Sequence, residues 1–225
     1  MLTLIIALLL TGTAQAEKMY HVAVPTITVY SNVADTAFLS PVMGYAVDAK
    51  AFFADSLKVN ESFTSMIGIS SASNEYIGGD ISGVTLTVYA DTQSTLVDTR
   101  GDMKEKTVHE LVHQTINAND PKQIATRRVQ EGLAVVISML ATERRFTVTM
   151  PSEVTTDDII VYLTTNGSSA TDGISPKDFK VEDYDNSAAA IATLTHNDPR
   201  RLAYIINHLA DGVPLWDVLL ASSKL

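Results

Sequence analysis

The sequence contains no cysteine. That excludes a disulfide framework and thiol redox chemistry, so the fold has to be held by its core. Positive charge is scarce: 16 Lys and Arg stand against 26 Asp and Glu, a net charge of −10 with a pI near 4.8. A surface of that sign repels nucleic acid and anionic membrane, and neither is expected as a partner. Internal repeats, heptads and long low-complexity tracts are missing as well. Near the start, the apolar run Leu4 to Leu10 is too short to span a bilayer.

That run is instead followed by Thr11-Gly12-Thr13 and the small-x-small string Ala14-Gln15-Ala16, the pattern of a signal peptide with its cleavage site. No Lys or Arg precedes it, which makes the n-region atypical. Residues 1–16 are expected to be removed from a secreted or periplasmic protein, with no stable membrane insertion afterwards. Residues 17–225 then form one domain, with an upper αβ lobe over 17–117 and a lower, mostly helical lobe over 118–225.

Alternation of β-branched residues predicts strands over Thr26–Tyr30, Ser62–Ser70 and Val84–Ala90, with loops at Ser70–Asn74 and Gly78–Asp80. The strand at 84–90 lies either at the edge of the sheet, where an extended peptide can add through main-chain hydrogen bonds, or inside it. Between the first two strands, apolar positions at helical spacing predict a helix from Pro41 to Leu57. Phe146–Met150 reads as a short strand or as extended chain. Helices are expected from Asp157-Asp158 to Leu163, from Asp185-Asn186-Ser187 onwards, from Asp198-Pro199 to about Ala210 before Gly212, and over Pro214–Leu220. The fold class is α+β. Asn60-Glu61-Ser62 and Asn166-Gly167-Ser168 match the glycosylation sequon, a weak signal.

The stretch with chemistry in it is His109-Glu110-Leu111-Val112-His113. Residues four apart share a helix face, so both imidazoles can reach one zinc ion at about 2.0–2.1 Å. Glu110 projects to the same side without being a ligand, where it can take a proton from water that the metal activates. Asp102 is expected to cap this helix, which spans about Met103–Asn117. A second helix is expected to open at Asp120-Pro121 and to run to about Glu143. Folding back antiparallel, it would return Glu131 to the depth of the two histidines as a third ligand, and Gly132 would let the two helices approach closely. Arg127 and Arg128 on that helix are candidates to pair with a substrate carboxylate.

The strings His109-Glu110-Leu111-Val112-His113-Gln114 and Gln130-Glu131-Gly132-Leu133-Ala134 resemble the gluzincin metallopeptidases, in particular the small peptidase MA-like domains. The close likeness covers about residues 105–140. It implies a zincin-like fold, Zn2+ held by His109, His113 and Glu131, and Glu110 as general base. It also implies a Tyr or His from the C-terminal part that stabilises the oxyanion. Tyr184 is the first candidate for that role, with His196, Tyr204 and His208 as competitors. The aminopeptidase string G-x-M-E-N is absent, which favours an endopeptidase acting on a peptide or protein substrate. The acidic residue that thermolysin-like members carry four positions after the ligand glutamate is replaced by Val135. Two other classes fit the same residues: a non-catalytic zinc-stabilised binding module, and a metal-dependent hydrolase of a non-protein amide such as a cell-wall crosslink.

Overall fold

The structure, a computed structural model, describes residues 20–31, 39–59, 65–71, 79–82, 85–90, 96–165 and 181–225. The expected signal segment and both sequons lie outside them. The chain divides into two compact units, Met1–Lys50 with Ser62–Leu111, and Ala51–Glu61 with Val112–Leu225. The class is α+β, with a mixed sheet in the first unit and helices throughout the second.

In the first unit, β1 (Tyr20–Val24) and β2 (Ile27–Ser31) form a hairpin around Pro25 and Thr26. The alternation that predicts β2 is real: Ile27, Val29 and Ser31 are buried, with Thr28 and Tyr30 half-buried between them. Helix α1 (Leu39–Phe52) buries Leu39, Val42, Met43, Ala46 and Ala49, which recur every three to four residues as a single stripe. It connects β2 to the parallel strand β3 (Ser65–Ser71), the crossover that a parallel pair needs. Strand β4 (Gly79–Ser82) pairs antiparallel with β5 (Thr85–Ala90), and β5 is parallel to β3.

The strand order is therefore β1-β2-β3-β5-β4. This settles the position of the strand predicted at 84–90, which is interior, between β3 and β4. The edge belongs to β4. Gly79 and Asp80, expected in a loop, lie in that edge strand, and β1 is not among the expected strands. Strand β4, Gly-Asp-Ile-Ser, is poor in strand formers and is held by its pairing with β5.

Helix α2 (Leu96–Asn119) carries the histidine motif and belongs to both units, the division falling after Leu111. Asp102 is not its cap, because the helix starts six residues earlier and takes Asp102 into its interior. In the second unit, α1 continues into a π-helical turn, Phe53–Leu57, closed by Lys58 at φ 54°. Helix α3 (Arg127–Ala141) buries Val129, Leu133, Val136 and Ile137 completely. It packs on α5 (Val181–Thr195).

Phe146–Met150 is extended chain, not a strand. It is tied to α5 and the turn beyond it by Met150 N donating to Thr193 Oγ1 (2.9 Å) and Asn197 Nδ2 donating to the Phe146 carbonyl (3.1 Å). Helix α4 (Thr156–Thr164) starts with a capping box in which Thr155 and Asp158 satisfy each other's backbone N–H. Helix α6 (Pro199–His208) starts as expected, with Asp198 accepting from Arg200 N and Pro199 in the first turn. A 3-10 turn, Leu209–Asp211, ends it at Gly212 (φ 74°), and α7 (Leu215–Ser223) closes the chain. Among the described residues no helix is long and apolar enough to cross a membrane.

Candidate metal centre

His109 and His113 sit one turn apart on α2, and Glu131 sits in the second turn of α3. Their donor atoms all lie within 4.8 Å of one another, and they form a group able to hold a metal ion. His113 Nε2 is 3.2 Å from Glu131 Oε2. Two ligands of a tetrahedral ion at about 2.0–2.1 Å stand about 3.3–3.4 Å apart, so this pair is already at the separation a shared ion imposes. His109 supplies the third donor, within 4.8 Å of the other two.

The environment is that of a built site. His113 and Glu131 are buried, at 9% and 5% exposure, and His109 is half-buried. A buried carboxylate needs compensating partners. Glu131 finds them in the His113 imidazole and in Arg127, whose Nη2 is 3.0 Å from Oε1. Two nitrogens and one carboxylate oxygen leave one tetrahedral position open, the pattern of catalytic rather than structural zinc sites. The donor set therefore fits the expected ion. Glu110 is buried as well and lies three residues before His113, so it borders the same helix face.

The route by which Glu131 reaches this position differs from the expected one. Residues 120–126 are a loop, not the first turns of a helix. Asp120 does not cap α3; its carboxylate folds over the loop, accepting from Ile124 N (2.9 Å) and Ala125 N (2.8 Å). Gln123 takes a left-handed conformation at φ 53°, its N–H bonded to the Asp120 carbonyl. The N-cap is Thr126, whose Oγ1 accepts from Val129 N and donates to the Leu163 carbonyl. The hairpin of helices is thus turned by a side-chain-stapled loop, and Glu131 is only the fifth residue of α3.

Gly132 does permit a close approach, but by α5 and not by the histidine helix. A Cβ there would fall 2.5 Å from the Ser187 carbonyl oxygen and 2.7 Å from Ile191 Cγ1. The two arginines also act differently from expectation. Arg128 donates to the carbonyls of Tyr162 (2.9 Å) and Thr165 (3.0 Å), satisfying the C-terminal end of α4, and its guanidinium lies 4.2 Å over the Tyr162 ring. Arg127 pairs with Glu131 across 3.0 Å. Its four-residue spacing to Glu131 is the signal for that pairing in the sequence.

Tyr184 lies inside α5, in its first turn, not ahead of a helix start. It is half-buried and three residues before Ser187, the residue against which Gly132 packs. Of the competing residues, His196 is exposed in a turn at φ 54°. Tyr204 and His208 stack on each other on α6 with ring centroids 3.8 Å apart, and α6 packs on α7 and the π-helical turn. No protein-family model matches this sequence, and no curated protein matches it.

Proposed function

We propose that this protein is a zinc-dependent peptidase of the gluzincin type, an exported endopeptidase with a zincin-like fold. The observation that carries the reading is the 3.2 Å approach of His113 Nε2 to Glu131 Oε2, with His109 one turn away on the same helix. A mixed sheet before the histidine helix and helices after it agree with that layout.

His109, His113 and Glu131 would hold the ion. Bound there, zinc would lower the pKa of a water towards 7 and polarise the scissile carbonyl. Glu110 takes the proton of the attacking water and passes it to the leaving amine. It is the one carboxylate of the motif left over from ligation, and a structural site would have no use for it. Tyr184 donates a hydrogen bond to the oxyanion as the carbonyl becomes tetrahedral. In its favour, α5 is the helix seated on α3, which bears Glu131.

The test compares zinc-loaded wild type with Glu110→Gln in the digestion of casein and of a peptide library. Cleavage by the wild type and a loss of about 10²–10⁴-fold in the variant are expected from removing a general base. Equal outcomes for the two proteins would discard the peptidase in favour of a zinc-stabilised binding module, or of a hydrolase whose amide is not a peptide bond.

A further inference from the structure

We infer that Arg127 is a positioning residue of the metal centre, which makes Glu131 a one-oxygen ligand by occupying its other oxygen. This role rests on the metal-centre reading.

A glutamate on a helix offers either oxygen, or both, to a cation, because its terminal torsion is broad and close to two-fold. Glu131 does not have that freedom. Arg127, one turn earlier on α3, holds Oε1 at 3.0 Å, and Oε2 faces His113 at 3.2 Å. The two side chains are 21% and 6% exposed, so the pair is largely shielded from water and salt. That separates it from the exposed helical pairs, which are screened and contribute little. The guanidinium also carries a positive charge towards a site meant for a cation, and this opposes metal binding. Two things offset it. The carboxylate stands between the guanidinium and the ion, and an oriented carboxylate binds without first losing rotamer freedom. Outer partners that orient a metal ligand typically change affinity 10–100-fold when removed.

The arrangement bears on coordination number. With Oε1 occupied, three protein atoms would hold the ion and one position would be left for water, whereas a two-oxygen carboxylate would crowd that position.

The full-length protein is stripped of metal, and its zinc affinity is measured by competition with a chromophoric chelator. Cobalt is then substituted and the visible spectrum recorded. In Arg127→Met, zinc binding is expected to weaken about 10–100-fold. The strong visible cobalt bands of a four-coordinate site are expected to fade as the second carboxylate oxygen engages. Arg127→Lys keeps the charge but is one bond too short to hold the 3.0 Å contact to Oε1; it serves if the methionine variant does not fold, and it should show the same fading. Arg128→Met removes the neighbouring arginine, which bonds α4, and should leave both measurements at wild-type values.

Wild-type affinity and spectrum in the Arg127 variants would overturn the inference, as would tighter binding. An equal loss in Arg128→Met would do the same, by showing that loosening α3 is sufficient. A wild type that binds neither zinc nor cobalt removes the metal-centre reading itself, a result distinct from any of these.

Discussion

Gly132 sits against the carbonyl of Ser187, with no room for a methyl group between them. The neighbouring residue, Glu131, is turned about 100° away around α3, towards the histidine helix. One pair of consecutive residues therefore serves two contacts: the glycine seats α3 on α5, and the glutamate completes the metal group.

Gly132→Ala is expected to destabilise the fold, although alanine is the better helix former. The obstacle is a backbone carbonyl, which cannot swing aside as a side-chain end would. A loss of about 1–3 kcal/mol is the usual result of such overpacking, read as a lower urea midpoint. Unchanged or raised stability would mean that α5 yields easily.

Metal removal should be visible without any substrate. At free zinc 100-fold above Kd, the bound ion stabilises the fold by about 2.7 kcal/mol. For a chain of this size that is a Tm higher by roughly 5–10 °C. A chelator should abolish the rise, and Glu131→Gln should shrink it. Identical melting with and without zinc would count against the centre.

Tyr184→Phe deletes one hydroxyl and leaves the ring. If that hydroxyl meets the oxyanion, kcat falls by about 10²–10³-fold while KM and zinc content hold. Wild-type turnover in this variant would move the role to another residue.

The start of α4 predicts a pH dependence. The Thr155 hydroxyl, 2.6 Å from Asp158 Oδ2, holds that carboxyl below its ordinary value of 3.8, and the Thr155 backbone N–H adds to the effect. Asp198 is lowered in the same way, chiefly by the Arg200 guanidinium at 2.8 Å. A carboxyl depressed in the folded state stabilises above its unfolded pKa, and that contribution is lost as pH falls through the folded one. The stability gap between wild type and Thr155→Ala should therefore be constant from pH 5 to 8. It should narrow below 3.8 without closing, because Thr155 Oγ1 still accepts from Asp158 N. A gap that stays the same in acid would exclude the carboxylate as the cause.

The features legible in the sequence are those that local pattern alone determines. His109, Glu110 and His113 are set by helical period, which is local and strong. The strands at 27–31 and 85–90 stand out by alternation, α1 by its buried stripe, and α6 by its Asp-Pro start. Asp120-Pro121 has the same two letters as Asp198-Pro199 but does not start a helix. In one case the carboxylate meets the next turn's N–H, and in the other it meets the N–H groups of a loop that bends back. Helix α3 is capped instead at Thr126, which is bonded to the Leu163 carbonyl 37 residues away. The Gly132–Ser187 contact is likewise a product of distant chain, and local pattern does not record it.

The seven-residue bend held by Asp120 separates two kinds of sequence change. Pro121, Lys122 and Gln123 are exposed, so an added residue there alters a surface bend and the phase of α3 is reset at Thr126, whereas Ala125 is buried and bonded to the Asp120 carboxylate. The same change between Arg127 and Gln130 would swing Glu131 by more than a quarter-turn, away from the imidazoles. Tolerance of length changes should thus fall off past Gln123, where the bend turns inward, and an insertion scan across this short span would map that border one position at a time.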